Sequence, residues 1–504
     1  MKRSRFIASV IFSCGLVLSP GSGQSADDPV LQIAEQITPT LPGAGDEIPK
    51  FVQEWKAFAE TTGNPEDQRW VELITHPNAI KLSNAWSKWR GFDASGLVVQ
   101  ARKEGKIPAE VKPGLVITAQ NVDSIPGLKE LLPQGIYDRL KDPWYTWKNL
   151  RVVPTGHYYF NSGKLKGFLE EKGEFTLDYT TGGFKVKNCT TCEPGGKVVA
   201  EDWGQKSVKI PFTPVPKDGL QLAWTHILNN VVSDNLYFKP IEFILCDNNS
   251  KIERTYSAHL WWQNFWGRAT YEPKPYMPGT SPNEYQGGAI FFTHPLDVKG
   301  LCGARIRRFD PDEDDSFAVF VPFLKRTRIL AGSDTQDPLC AGCDVIWDDW
   351  RAYWQRMDAR QTEYKLEGEG FILGLSNRGM IGDNFKMENC ALSDVNMEIR
   401  PVYILGVYDK TGKYVYSKRR LWIDKDWYDH VHQEIYDRRG NLWRLWVWTR
   451  YWDPRSGEGM WRNAPIWDPI NKHLTMVRMN VDFHQAMVGT RKQYFDIESL
   501  KNYQ

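Results

Sequence analysis

The run from Arg400 to Trp452 constrains the fold of this chain more than any other stretch. Three extended segments are separated there by two turn signals, Asp409-Lys410-Thr411-Gly412 and Asp437-Arg438-Arg439-Gly440-Asn441. β-Branched and aromatic residues fill the segments, and a glycine sits late in each turn, where a positive φ costs little. The pattern predicts an antiparallel meander. In its last strand Trp443, Leu445 and Val447 point to one face, Trp446 and Trp448 to the other. A strand apolar on both sides must be covered on both sides, by more protein or by a ligand.

The chain opens with a basic cluster, Lys2, Arg3 and Arg5, then an apolar core from Phe6 to Leu18, then small residues. That core is too short and interrupted to span a bilayer, so residues 1–26 read as a secretory signal and the mature chain as periplasmic, with association to the outer membrane left open. Cys14 belongs to that leader. The remaining stretch of about 478 residues is long enough for a large core. Lys and Arg number 63 against 62 Asp and Glu, and no segment is basic enough to track a phosphate backbone, which argues against nucleic acid. The aromatic content stands out, with 22 Trp, 21 Tyr and 23 Phe. It suits a large antiparallel sheet and surfaces that touch lipids or sugars.

Seven cysteines remain beyond the leader, and two pairs have C-x-x-C spacing: Cys189/Cys192 and Cys340/Cys343. In an oxidising compartment these are disulfide candidates, with metal binding and redox chemistry as the alternatives. Neither pair is followed by histidine, which excludes covalent haem attachment on its usual pattern.

Residues 27–210 read as a helical and mixed region packed on the body. Phe51, Trp55, Phe58 and Ala59 form one helical stripe, and Trp70, Leu73 and Ile74 begin another. Residues 211–485 read as the sheet domain, with strands at Leu236–Cys246, Ile252–Leu260, Ala289–Thr293, Ala304–Arg308, Phe317–Phe323 and Thr362–Leu366. Asp344–Asp358 reads as a helical interruption, and residues 486–504 as a polar tail. A sheet of this many strands curls to protect its edges.

No catalytic signature is present, so the expectation is a protein that is not an enzyme and uses no cofactor. The acidic run Asp310 to Asp315 lacks the glycine and distal glutamate of a calcium loop and reads as a solvated turn. Asp348 and Asp349 point about 100° apart on a helix and read as a solvated face. His430 and His432 lie two apart on a strand, so their rings share a face, as two metal ligands would. The basic clusters Lys325-Arg326-Thr327-Arg328 and Lys418-Arg419-Arg420 suit either edge protection or contact with anionic groups.

The Arg400–Arg444 block, with its Ser-Lys-Arg, aromatic-Ile-Asp and Tyr-Asp-x-x-Gly-x-Leu-Trp elements, resembles the secreted bacterial family called domain of unknown function 1329. The segments FTPVPKDGLQLAWTHILN and FAVFVPFLKRTRILAGSDTQDP resemble further blocks of that family. The resemblance implies a mainly β (α+β) fold similar to the lipoprotein carriers LolA and LolB: a strongly curved antiparallel sheet, or half-open barrel, wrapped around helices. The helical N-terminal extension and the cysteines depart from the family pattern. The implied function is a periplasmic carrier of a lipid or other hydrophobic molecule, serving an export system with an inner-membrane transporter of the resistance–nodulation–division type or an outer-membrane component as partner. Trp422, Trp443, Trp446 and Trp448 are the candidates for the cavity wall, and Arg326, Arg328, Lys418 and Arg420 for its rim. A secreted carbohydrate hydrolase and a transporter adaptor without ligand are the alternatives.

Overall fold

The N-terminal helices begin and end where the local chemistry dictates. Asn64 caps α3 (Pro65–Ile74) by accepting from Glu66 N at 2.8 Å, and Asp93 caps α5 (Ala94–Lys103) through Gly96 N at 2.7 Å. Gly63 and Gly91 end α2 (Lys50–Thr62) and α4 (Pro77–Arg90) in the left-handed conformation, at φ 60° and 79°. A shorter helix, α1 (Pro29–Ile37), precedes them. The structure is a computed structural model that describes residues 29–142, 144, 147–170, 175–186, 192–193, 197–198, 215–228, 234–274, 277–281, 283–330, 334–378, 386–388, 390–479 and 492–503. The expected secretory signal therefore lies outside the described residues. No helix among the described residues is long and apolar enough to cross a membrane.

Sixteen strands form one sheet. They are β1 (Val116–Ile117), β2 (Leu150–Val152), β3 (Asn235–Cys246), β4 (Ile252–Asn264), β5 (Glu284–His294), β6 (Cys302–Arg308), β7 (Ser316–Val321), β8 (Arg326–Ile329), β9 (Thr362–Leu375), β10 (Asn396–Asp409), β11 (Lys418–Asp424), β12 (His430–Tyr436), β13 (Leu442–Val447), β14 (Thr449–Asp453), β15 (Glu458–Asp468) and β16 (His473–Met479). The order is β1-β2-β10-β11-β12-β13-β15-β16-β3-β4-β5-β6-β7-β8, with β9 added on β10 and β14 on β15. Every pairing is antiparallel except β2 on β10, so β1 and β2, from before residue 210, extend a sheet built mostly from later residues. Among the described residues the sheet does not close, and β8 is a free edge. Each expected strand is present, although Phe317–Phe323 stops at Val321, where Pro322 starts a single 3-10 turn.

Both faces of the sheet are covered. Leu445 and Val447 of β13 join Trp147, Leu131 of α6 (Leu128–Leu131), Ile136 of α7 (Gln134–Lys141) and Trp467 in one core. Trp446 and Trp448 join the larger core, which gathers α2–α4, α8 (Ser162–Glu170), α9 (Gly219–Leu228) and the concave face. The curvature is visible in the rings of Trp262 on β4 and Trp461 on β15, whose centroids lie 5.8 Å apart although their strands stand three steps apart in the sheet. Three steps of a flat sheet would span about 14 Å. The N-terminal helices dock on the meander, where Trp86 Nε1 donates to Asp426 O at 3.0 Å and Arg90 Nη2 to Lys425 O at 2.6 Å.

The segment Asp344–Asp358 is not a helix. It makes a 3-10 turn at Trp347–Ala352 that breaks at Trp350 (ψ 135°) and Arg351 (φ 55°), and Ala352 follows at φ 65°. The reason is that Asp348 and Asp349, expected on a solvated face, are drawn in opposite directions into buried ion pairs, which a regular helix could not satisfy.

Candidate functional site

The concave face is organised around indoles. Trp446 stacks on Trp448 at 5.2 Å, Trp448 meets Trp461 at 5.5 Å, and Trp350 meets both Trp448 and Trp461 edge-on, at 6.4 and 6.1 Å. Trp262 continues the series to Trp354 at 4.7 Å. The Nε1–H groups of Trp262, Trp446, Trp448 and Trp461 are buried without a hydrogen-bond partner among the described residues. Unspent buried donors are uncommon in folded proteins, and these four can serve a polar group that enters the concavity, although Trp147 and Trp467 on the opposite face also keep theirs.

Trp347, Trp350 and Trp354 belong to the Asp344–Asp358 segment, which lies across the concavity as a clasp. Two strand glycines seat it. A Cβ on Gly288 of β5 would stand 2.7 Å from Trp354, and one on Gly303 of β6 would stand 2.8 Å from Trp347. Between clasp and sheet remains an apolar cavity of about 30 Å³, walled by Leu260, Trp262, Ile290, Leu339, Trp350 and Trp354 among others. Charge ties the clasp to two distant strands through two adjacent aspartates. Arg305 of β6 donates to Asp348 Oδ1 at 2.8 Å, and Arg419 of β11 donates to Asp349 Oδ1. Tyr416 adds a bond to Asp349 at 2.9 Å, and Thr335 one to Asp348 at 2.8 Å. Arg351 reaches the C-terminal carbonyls of α9, Ile227 O at 2.7 Å and His226 O at 3.0 Å.

Beneath Trp448 lies a buried group of titratable residues. The ligating atoms of His226, Asp429 and His430 all fall within 4.8 Å of one another, the spacing a metal ion would need. His226 Nδ1 bonds to Tyr428 O at 2.9 Å and His430 Nδ1 to Asp429 Oδ1 at 3.0 Å, leaving both Nε2 atoms buried and unpartnered among the described residues. Burial first, and then the Arg351 charge, pushes His226 down to about 4. Burial pushes His430 down to about 3 despite Asp429 beside it. Burial alone would raise Asp429, yet the Arg450 guanidinium holds it well below the usual carboxylate range. Arg450 Nε donates to Asp429 Oδ2 at 2.7 Å, so the charge of this carboxylate is already matched by a guanidinium. As folded, the triad is an ion-paired network.

The sequence-selected residues do not form one wall and one rim. Trp446 and Trp448 line the concavity. Trp422 packs in a separate cluster with Ile372, Val402 and Val431, its ring 5.0 Å from His432. Trp443 sits at a bulge opposite Tyr436 and stacks edge-on with Tyr416 at 5.5 Å, at the sheet's end. A second bulge, between the pairs Trp422–His432 and Ile423–His430, breaks the alternation that would have put the two histidines on one face. His430 turns to Trp448, His432 to Trp422. Arg420 Nε donates to Glu367 at 2.6 Å, and Lys418 lies over the Tyr436 ring at 4.5 Å, both on β11. Arg326 and Arg328 lie on β8, ten steps away in the sheet order. The acidic run is not wholly solvated, since Asp315 is held by Arg305 at 3.0 Å.

Cys340 is joined to Cys343 at the start of the clasp. Cys189 and the side chain of Cys192 lie outside the described residues. Sequence reasoning expected disulfides and one odd thiol, but not that Cys246 pairs with Cys390, Cα atoms 6.3 Å apart, or that the buried free thiol is Cys302. It also missed Arg305, Arg351, Gly288 and Gly303. The glycines carried a signal, because a glycine inside a strand marks a close approach.

Comparison with known proteins agrees with the resemblance. The model of a family described as "Protein of unknown function (DUF1329)" matches residues 116–501. A DUF1329 family protein from Desulfovibrio piger, of solved structure, is similar at 19% identity over 56% of this chain and 97% of its own, with a TM-score of 0.39. A putative outer membrane lipoprotein-sorting protein domain from Vibrio parahaemolyticus matches at 17% identity over 56% and 98%, TM-score 0.37. A LolA superfamily protein from Nitrosomonas europaea matches at 12% identity over 56% and 99%, TM-score 0.35. No curated protein matches the chain.

Proposed function

The chain belongs to the DUF1329 family, and on that footing we propose that it is a non-catalytic envelope protein that carries a lipid or another hydrophobic molecule. The observation that carries this reading is the apolar cavity under the clasp, with its unspent indole donors beside it. At about 30 Å³ it is far below the ~300 Å³ of a small ligand pocket. Cargo therefore enters only when the clasp lifts, vacating the space of Trp350 and Trp354. The break at Arg351 and Ala352 supports such a movement: two non-glycine residues with positive φ store strain that an opened segment would release. Cargo would be held by burial of apolar surface, and the indole N–H groups would donate to its polar end. Asp348 and Asp349 of the clasp are both engaged by arginines, which weighs against a hydrolytic pair there.

Native mass spectrometry of protein purified from the cell envelope, followed by solvent extraction, tests this. Retained lipid is expected, and Trp350→Ala should increase it, along with uptake of a naphthylamine probe. Clean mass in both forms, with no probe taken up, would sink the carrier. The filled interior favours one second reading, an adaptor that docks on an envelope transporter without ligand, and that same clean result would support it.

A further inference from the structure

The free edge of the sheet carries an unusual surface. Among the described residues the three most exposed large apolar side chains are Ile329 (88%), Leu296 (84%) and Phe323 (79%), and all lie on or between the last four strands. Single exposed apolar residues are ordinary, but a concentration of them is not. Leu296 lies in the connection from β5 to β6, and Phe323 and half-exposed Leu324 in the connection from β7 to β8. Register places Phe291, Cys302 and Phe320 in line across β5, β6 and β7, so both connections leave the same end of the sheet. They also touch: a Cβ on Gly300 would stand 3.4 Å from Pro322 Cγ.

The charges around these tips are one-sided. Lys299, Lys325, Arg326 and Arg328 have no ion-pair partner among the described residues, and Arg326 to Ile329 are all exposed. The one acid in the β5–β6 connection, Asp297, is taken by Arg254. The same end continues in the β3–β4 and β15–β16 hairpins, where exposed Ile252 and Ile470 lie beside Lys251 and Lys472, although Asp247, Glu253 and Asp468 make the charge there mixed. Apolar tips ringed by free cations match a bilayer interface, where the side chains enter the acyl boundary and the cations meet anionic headgroups.

We propose that the β5–β6 and β7–β8 tips, with Leu296, Phe323 and Leu324 as inserting residues and Lys299, Lys325, Arg326 and Arg328 as headgroup contacts, dock this protein on an anionic lipid membrane. This goes beyond the carrier reading and does not depend on it, since an adaptor would need the same anchorage.

Flotation of the mature protein with phosphatidylglycerol-containing vesicles, and with phosphatidylcholine vesicles alone, tests the surface. Binding is expected to the anionic vesicles, weaker to the neutral ones, and reduced by salt. Phe323→Ser with Leu324→Ser, and separately Lys325→Glu with Arg326→Glu, should each weaken partitioning by about tenfold or more. These sites are exposed, so thermal melting should stay unchanged and exclude misfolding. No vesicle binding by the unaltered protein, or binding that both double variants retain, overturns the proposal. Cross-linking of β8 to a protein strand, with vesicles ignored, overturns it in favour of edge pairing. Because vesicle flotation needs no cargo, its result is separable from the lipid-retention experiment.

Discussion

Arg305 Nη1 donates to Asp348 Oδ1 at 2.8 Å, and the next residue, Asp349, accepts from Arg419, eight strands away in the sheet order. Two adjacent aspartates thus tie opposite flanks of an open sheet to one short segment. Breaking a buried pair by removing one partner costs far more than the pair contributes net, because it leaves a desolvated charge behind.

Asp349→Asn should accordingly lower unfolding stability by about 3–5 kcal/mol, since Arg419 stays buried without its carboxylate. Chemical denaturation reads this. If the clasp gates the cavity, the same variant should take up more naphthylamine probe below its transition.

Acid should weaken the fold through the histidines of the concave side. His226 and His430 are held near 4 and 3, against about 6.5 in the unfolded chain. Between those values the unfolded state binds more protons, so stability falls as pH drops from about 6.5 toward the folded values, by at most about 1.4 kcal/mol per pH unit for each histidine. His226→Gln should flatten the denaturation profile from about pH 6.5 to 4 relative to the unaltered protein. A parallel profile would mean that His226 is not buried neutral.

Arg400 joins the meander to the loop before α8. Its guanidinium donates to Asp424 Oδ2 at 2.5 Å, Asp426 Oδ2 at 3.1 Å and Gly156 O at 2.6 Å, with Glu398 at 3.4 Å. Arg400→Met would leave three buried carboxylates without that cation and should cost about 3–5 kcal/mol at neutral pH. Burial already holds Asp424 above its usual range, and its protonation relieves the repulsion, so the deficit should shrink as pH falls toward 4. Urea titrations at both pH values measure the difference.

The Cys246–Cys390 bridge closes a separation of 144 residues. Cys246→Ser with Cys390→Ser should lower stability by about 4–5 kcal/mol on loop-entropy grounds, and should abolish most of the sensitivity to reductant. A melting temperature unchanged by the double substitution would show that the bridge is not formed in solution.

The sequence determined what is local. Alternation in Leu442–Trp448 separated Leu445 and Val447 from Trp446 and Trp448, because side-chain direction in a strand has period two. Cap residues and turn glycines set the helices and hairpins, since each works within a few residues of itself. Alternation failed at Trp443, His430 and His432, because a bulge adds one residue and reverses every direction beyond it. Tertiary structure alone decided which face became concave, that Asp348 and Asp349 leave the surface for Arg305 and Arg419, and that Cys246 finds Cys390. Those outcomes depend on residues tens to hundreds of positions apart. Whether a carboxylate is solvated or buried is set by the arginine that reaches it, and no local pattern encodes that meeting.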